Sequence, residues 1–334
     1  MAYNFIVLHQ FGGPEVLEVA SSDQLPEPGA GEVRFKVLAS GVSFTDTLIR
    51  RGIYPDVRDK PPITPGYDMV GRVDKVGSGV TGLGEGQKVA ALTVIGAYSE
   101  FMVLPAAQLV PVQEAVDDAE SVCLVLSYVT AYQMLKRVAK VQEGDTILIH
   151  GAAGAVGTAL LQIGALLQLK MYGTASSKDH QLLREYGCQP IDYKSEDFVE
   201  VLHEVEKAGV AAVFDSFGLA HFKRSLKVLG KGGKLVAFGS YHARSSMDLV
   251  KGFLQVQFWN VLPWMPSTTF YSIGAMRKKH PEWFQQDLQQ LFQWLSEGKL
   301  KPGIARKMKL EEARAAHEMI EQGGVQGRIV LLMD

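Results

Sequence analysis

Between residues 145 and 240 the hydrophobic pattern alternates between two periods. Unbroken apolar runs bounded by turns read as buried strands, and apolar residues three and four apart read as helices. The run Asp145 to His150 (DTILIH) is followed by a helix from about Val156 to Leu167, a strand from Lys170 to Ala175, a helix from about Asp179 to Glu185 and a short strand from Ile191 to Tyr193. The period continues through a helical stretch near Glu196 to Lys207, a strand from Val210 to Ser216, a helix near Ala220 to Leu229 and a strand from Lys234 to Ser240. This alternation predicts a parallel sheet with right-handed crossovers and a ligand crevice at the carboxyl ends of its strands.

Upstream the texture is different. Short apolar or alternating segments (Glu32 to Ala39, Met69 to Val76, Gln87 to Leu92, Ser99 to Val103) are punctuated by turns such as Pro26 to Gly31 and Gly82 to Gly86. These predict a rolled, mostly antiparallel barrel. Downstream, helices near Gln285 to Ser296 and Leu310 to Glu321 precede a last strand, Arg328 to Met333, which needs a sheet partner. The N-terminal barrel is the expected host, so the unit of alternating strands and helices reads as an insertion, with the working cleft between the two domains.

At the junction of the first strand and helix the chain reads Gly151-x-x-Gly154-x-x-Gly157. Glycines at this spacing allow a tight exit from the strand, close approach of backbone to a pyrophosphate, and close packing of helix on strand. The helix N-terminus adds free N–H donors and a positive dipole end. An acid at the end of the second strand would bind the ribose 2′-hydroxyl of NAD. Here Ala175 stands eighteen residues beyond Gly157, followed by Ser176, Ser177 and Lys178, so NADPH is favoured over NADH. Lys178 otherwise reads as a cap on a solvated loop.

Composition narrows the class. With 334 residues and 47% apolar content the chain can bury a core in each of two domains, and a net charge of −2 gives no general attraction to nucleic acid or anionic membrane. The N-terminus lacks a secretory pattern and no window reaches the length of a membrane span, so the cytoplasm is expected. Cys123 and Cys188 are too far apart in sequence to suggest a zinc ribbon or redox pair, and both read as buried thiols.

Several motifs in order carry a family resemblance: ASGVSFTDTLIRRGIYP (Ala39 to Pro55), TPGYDMVGRVDKVGSGV (Thr64 to Val80), GAAGAVG, GTASS (Gly173 to Ser177), IDY (Ile191 to Tyr193), FDSFG (Phe214 to Gly218), GGKLVAFGS (Gly232 to Ser240) and GRIVLL (Gly327 to Leu332). The whole chain resembles the medium-chain dehydrogenase/reductase superfamily, most of all its zeta-crystallin-like NADPH quinone oxidoreductase branch. The resemblance implies an α/β chain: a GroES-like β-barrel catalytic domain (1–124 and 268–334) plus a Rossmann doubly wound parallel-sheet cofactor domain (125–267). It also implies a homodimer joined at the strand Lys234 to Phe238, taken as the sheet edge.

Zinc-dependent members of the superfamily use a cysteine and a Gly-His-Glu triplet, where this chain has Ser43 and Gly66-Tyr67-Asp68, and the structural four-cysteine cluster is missing. A hydroxyl and a phenol do not make a zinc site. A metal-free enzyme would favour conjugated acceptors, quinones or α,β-unsaturated carbonyls, whose oxygen needs only a hydrogen bond as hydride arrives at carbon. The quinone branch has an asparagine and a tyrosine where this chain has Ser43 and Leu48, which leaves Ser43, Tyr54 and Tyr67 as candidate catalytic donors. Either tyrosine reads equally as an aromatic packed at the cleft wall. Asp46 reads as structural, and His150 as a satisfied core histidine.

For the cofactor the resemblance implies Thr130 near the nicotinamide, Gly154, Ala155, Val156 and Gly157 under the pyrophosphate, and Phe238, Gly239 and Ser240 lining the nicotinamide side. Ser176, Lys178 and Tyr193 fall at the adenosine phosphate end, with His180 able to share or replace Lys178. Arg328 either reaches back to the 2′-phosphate or is a surface arginine. The aromatic stretch Phe253 to Tyr271 departs most from the family pattern, and three roles compete for it: packing, a substrate-pocket wall, or a membrane-touching loop. The expected partner is a small conjugated acceptor, with no nucleic acid. The alternatives to a quinone reductase are a 2-alkenal or enone reductase, and an NADPH-binding protein with little turnover.

Overall fold

The computed structural model describes residues 2–243 and 245–333; residues 1, 244 and 334 lie outside this description. In chain order the first unit contributes strands β1 (Tyr3–Val7), β2 (Glu18–Ser22) and β3 (Glu32–Val42), helix α1 (Phe44–Arg50), strands β4 (Asp68–Val76), β5 (Lys88–Leu92), β6 (Phe101–Pro105) and β7 (Val110–Pro111), and helix α2 (Asp118–Cys123). The second unit follows with α3 (Val129–Tyr132), β8 (Thr146–His150), α4 (Ala155–Leu166), β9 (Lys170–Ala175), α5 (His180–Glu185), β10 (Cys188–Asp192), α6 (Phe198–Val205), β11 (Val210–Asp215), α7 (Leu219–Ser225), β12 (Leu229–Ala237), α8 (Ser246–Asn260), β13 (Ser267–Phe270) and α9 (Ile273–Lys279). The chain closes with α10 (Pro281–Ser296), β14 (Ile304–Lys309), α11 (Ala313–Gln322) and β15 (Arg328–Leu332).

The first unit comprises residues 1–127 and 284–334. Its main sheet runs β14-β15-β3-β4-β5-β7, with β6 also on β3. The long strand β3 organises it: Val33, Phe35, Val37 and Ala39 alternate into the core, all fully buried, while β4, β6 and β15 pair with it antiparallel. The C-terminal strand thus finds its partner in the N-terminal sheet, as an unpaired terminal strand requires.

The second unit, residues 128–283, is built on a six-stranded sheet of order β10-β9-β8-β11-β12-β13, with every pairing parallel. Helices cover both faces of such a sheet, which explains why Ile147, Leu148 and Ile149 of β8 are all at 0% exposure and why its strands read as unbroken apolar runs. One side of the core joins Leu148, Tyr172, Val213 and Leu235 of the strands to Phe198, Leu202, Phe222, Val256 and Trp259 of the helices.

Two expectations are corrected. The second domain boundary falls at Trp283/Phe284 and not at 267/268, because Ser267–Phe270 is the sixth strand of the nucleotide-type sheet, paired parallel with β12. For the same reason Lys234 to Phe238 is not an edge: β12 lies between β11 and β13, and β13 is the outermost strand. A four-residue strand in an aromatic-rich, proline-broken stretch carried too little period to be read from sequence. That stretch is also divided in role. Val256 and Trp259 are buried in the core, whereas Phe253, Phe258 and Trp264 are exposed.

Candidate functional site

In the second unit β8 delivers the chain into Gly151, whose backbone takes φ +65°, a conformation that favours glycine. The turn then closes so tightly that a Cβ on Gly157 would stand 2.3 Å from the Gly151 carbonyl oxygen. Gly154 occupies the position before α4 with no side-chain cap, so the first-turn N–H groups of a twelve-residue helix are offered without a protein side chain covering them. Donors and dipole at a helix start behind a glycine turn fit a pyrophosphate. Thr174, on the neighbouring strand β9, ties the turn down: its Oγ1 accepts from Gly151 N at 3.3 Å and contacts His150 Nδ1 at 3.1 Å.

The expected adenosine end is assembled on the loop after β9. Ser176 is buried and donates to Asp179 Oδ2 at 2.6 Å, Lys178 is exposed, and Tyr193, past the end of β10, is 60% exposed. Ser176 therefore braces the loop through Asp179, and Lys178 and Tyr193 are the groups that face solvent. Thr130 is buried on α3, a short α-helical segment flanked by π-helical turns at Leu124–Tyr128 and Gln133–Ala139. Such turns recur at functional sites.

Phe238, Gly239 and Ser240 leave the end of β12, where Phe238 N donates to the Asp215 carbonyl at 3.0 Å. They lie beside a cluster that sequence reasoning did not pick out. Phe217 packs 6.0 Å from Tyr241 and 5.7 Å from His242 between ring centroids, and its ring borders Gly151. No period marks these loop aromatics, so only the sheet order brings them to the glycine turn.

In the first unit Ser43 is the N-cap of α1. Its Oγ donates to Asp46 Oδ2 at 2.6 Å and accepts from Asp46 N at 3.3 Å, while Asp46 Oδ2 also accepts from Ser43 N at 2.8 Å. This capping box makes Asp46 structural and commits the one proton of Ser43. Burial pushes the Asp46 carboxyl up to about 6, against the hydrogen bonds from Ser43. Tyr54 and Tyr67 meet as an edge-to-face pair with hydroxyls 2.9 Å apart. Tyr67 is fully buried and Tyr54 half-buried, and burial holds the Tyr54 phenol well above its ordinary range, so it stays a neutral donor.

Arg328 is a correction. It is not a surface arginine: its guanidinium is buried in the first unit, donating to Asp68 Oδ1 at 2.7 Å and to Ser127 Oγ at 3.2 Å, so its charge is already met by Asp68. Gly41 leaves the space for it, since a Cβ there would stand 2.3 Å from Arg328 Nε. The positions that hold zinc in metal-dependent members thus carry a serine hydroxyl committed to Asp46, a phenol bonded to Tyr54 and a carboxylate paired with Arg328. That donor set does not fit zinc.

Two family models match the chain. One, described as an alcohol dehydrogenase GroES-like domain, covers residues 29–114, and one described as a zinc-binding dehydrogenase covers residues 187–331. A quinone oxidoreductase of Rattus norvegicus is 31% identical over 98% of this chain and 97% of its own length. A 2-haloacrylate reductase of a Burkholderia species is 32% identical over 98% of each. The crystal structure of Escherichia coli quinone oxidoreductase complexed with NADPH superposes with a TM-score of 0.87 at 29% identity, covering 98% of this chain and 99% of that one. With a GroES-like barrel followed by a Rossmann-type sheet and full-length similarity of this degree, the chain belongs to the medium-chain dehydrogenase/reductase superfamily, in its quinone oxidoreductase branch.

Proposed function

We propose that this chain is an NADPH-dependent reductase that works without a metal and passes hydride to quinones. The observation that carries the reading is the glycine turn of Gly151, Gly154 and Gly157 opening onto the uncapped start of α4 at the carboxyl end of a parallel sheet. Bound NADPH supplies hydride from nicotinamide C4. The N–H groups of Ala155, Val156 and Gly157 hold the pyrophosphate, Thr130 with Phe238, Gly239 and Ser240 orients the nicotinamide, and Lys178 and Tyr193 bind the adenosine phosphate end. Ala175 at the end of β9, where an acid would meet the ribose 2′-hydroxyl of NAD, and the exposed Lys178 favour the 2′-phosphate of NADPH over NADH.

Tyr54 donates the hydrogen bond to the acceptor oxygen as charge develops there, and Tyr67, behind it, positions the Tyr54 hydroxyl. Ser43 remains in the helix cap. Zinc has no part in this step, because Ser43, Tyr67 and Asp68 do not make a ligand set for it. A conjugated acceptor suits this equipment, because hydride enters at carbon and the oxygen needs only a donor. Similarity to a 2-haloacrylate reductase keeps activated alkenes as the second acceptor class.

The assembly we propose is a homodimer seamed at β13, beyond which no further strand pairs among the described residues. Beside it in sequence, Met247, Val250, Leu254, Phe258, Val261 and Trp264 are exposed. Large apolar groups in this number supply several hundred Å² per partner, approaching the about 800 Å² of a standard interface. Val261→Lys with Trp264→Lys should shift the chain to monomer in sedimentation; a wild-type monomer would refute the seam.

The deciding experiment follows NADPH oxidation optically with 1,2- and 1,4-quinones and 2-alkenals in parallel, and NADH as control. Quinone-dependent turnover selective for NADPH is the expected result. Consumption of alkenals alone would make the chain an enal reductase, and tight NADPH binding with no acceptor consumed would make it a binding protein.

A further inference from the structure

Strands β8 and β11 are neighbours where the order of the parallel sheet reverses, and their register brings His150 and Asp215 together at their carboxyl ends. His221, in the first turn of α7, completes a cluster that the proposed hydride transfer does not use. His221 Nδ1 lies 2.6 Å from Asp215 Oδ2, and Ser225 Oγ donates to the same oxygen at 2.6 Å while lying 3.2 Å from His150 Nε2. One ligand atom from each of His150, Asp215 and His221 lies within 4.8 Å of the others.

We propose that His150, Asp215 and His221 form a divalent transition-metal site, taking a cation of the zinc, cobalt or nickel class. Two imidazoles and one carboxylate make a nitrogen-rich set that suits these ions over magnesium or calcium, and three protein ligands leave a further coordination position open. This site is separate from Ser43 and the Gly66-Tyr67-Asp68 triplet, which lie in the other unit.

The surroundings favour occupation. Side chains that coordinate metals need support from behind, and two of the three here have it: Thr174 Oγ1 meets His150 Nδ1, and Phe217 N donates to Asp215 Oδ1 at 2.9 Å. Aromatic rings shield the cluster, with Phe198 4.6 Å from His150 and Phe217 5.0 Å from His221 between centroids. The His221 side chain is 25% exposed and gives solvent a way in.

Zinc with ligands at about 2.1 Å in tetrahedral array would separate two ligand atoms by about 3.4 Å. The Asp215–His221 contact therefore opens by less than about 1 Å, and the cluster contracts on its His150 side. The proton on His221 Nδ1 moves to the outward Nε2, that on His150 takes the Nδ1 position beside Thr174, and the Ser225 and Thr174 hydroxyls rotate to suit.

The test uses the full chain after treatment with a chelator, titrated with Co²⁺ alone and followed by visible absorption and by calorimetry, with Zn²⁺ as competitor. We expect one saturable equivalent per chain with a ligand-field spectrum of low coordination number, displaced by Zn²⁺, and a thermal midpoint that rises with metal concentration. His221→Gln, at the quarter-exposed ligand, should weaken binding by more than the about 10–100-fold that loss of a supporting contact costs. Ser225→Ala, which leaves all three ligands in place, should still bind. Absence of saturable binding in the wild type, or binding that His221→Gln leaves unchanged, would reduce the cluster to a hydrogen-bonded network only.

Discussion

Arg328 Nη2 donates to Asp68 Oδ1 at 2.7 Å inside the first unit, with the two side chains at 2% and 0% exposure. The arginine that begins the last strand is thereby bound to the residue that begins β4, and the C-terminal segment is held to the N-terminal sheet by charge as well as by the pairing of β15 with β3. Removing one partner of such a pair strands the other charge in the interior. Arg328→Met or Asp68→Asn should therefore cost about 3–5 kcal/mol of stability, read by denaturant unfolding. Arg328→Lys, which loses the planar fork, should lower the thermal midpoint and leave the NADPH to NADH affinity ratio unchanged. A selective loss of NADPH affinity would restore the phosphate role for Arg328.

The phenol pair separates two roles. Tyr54→Phe should lower kcat with quinones by about 10²-fold, the cost of losing one donor to a developing oxyanion, with little change in KM for NADPH. Tyr67→Phe should cost less, because its buried hydroxyl acts through Tyr54. Steady-state kinetics with both variants checks the order; equal, negligible effects would return the two rings to packing.

The turn and the loop after β9 bind different ends of the dinucleotide. Gly157→Ala forces a methyl against the Gly151 carbonyl and should abolish binding of NADPH and NADH alike. Lys178→Ala should weaken NADPH by about 10-fold and spare NADH, since it removes one charge-assisted contact to the 2′-phosphate alone. Fluorescence titration with both nucleotides distinguishes these, and an NADH loss as large as the NADPH loss in Lys178→Ala would sink the assignment.

His317 should make the first unit sensitive to acid. It is fully buried, Nε2 lying 3.2 Å from the Tyr98 hydroxyl and Nδ1 accepting from Arg50 Nη1 at 3.4 Å, and burial with the Arg50 charge holds its imidazole down at about 3. The unfolded chain regains ordinary histidine affinity for protons, so this contribution is full above about pH 6.5 and is lost as the pH falls from there toward about 3. Between about pH 7.5 and pH 5 it amounts to about 2 kcal/mol. Asp46, raised to about 6, works in the opposite sense: its contribution is present below about pH 4 and is lost as the pH rises through 6. Urea unfolding at both pH values should show His317→Gln losing about 2 kcal/mol less than the wild type on acidification. Equal losses would show that His317 carries no such linkage.

Local pattern alone carried much of this protein. Strands buried on both faces have to be continuously apolar, so β8 and β11 were legible as runs, and a turn that brings backbone to a phosphate has to be glycine at Gly151 and Gly157. The Ser43–Asp46 cap and the need of the last strand for a partner were equally local, because each follows from backbone groups that must be satisfied. What tertiary structure decided is everything that depends on distant chain. β13 became the edge because pairing with β12 outweighed its weak period, and Arg328 went inside because Asp68 and the space over Gly41 await it. His150, Asp215 and His221 met because the sheet reverses order between β8 and β11. Charges and imidazoles carry no period along the chain, and their partners are chosen only when the strands are laid side by side.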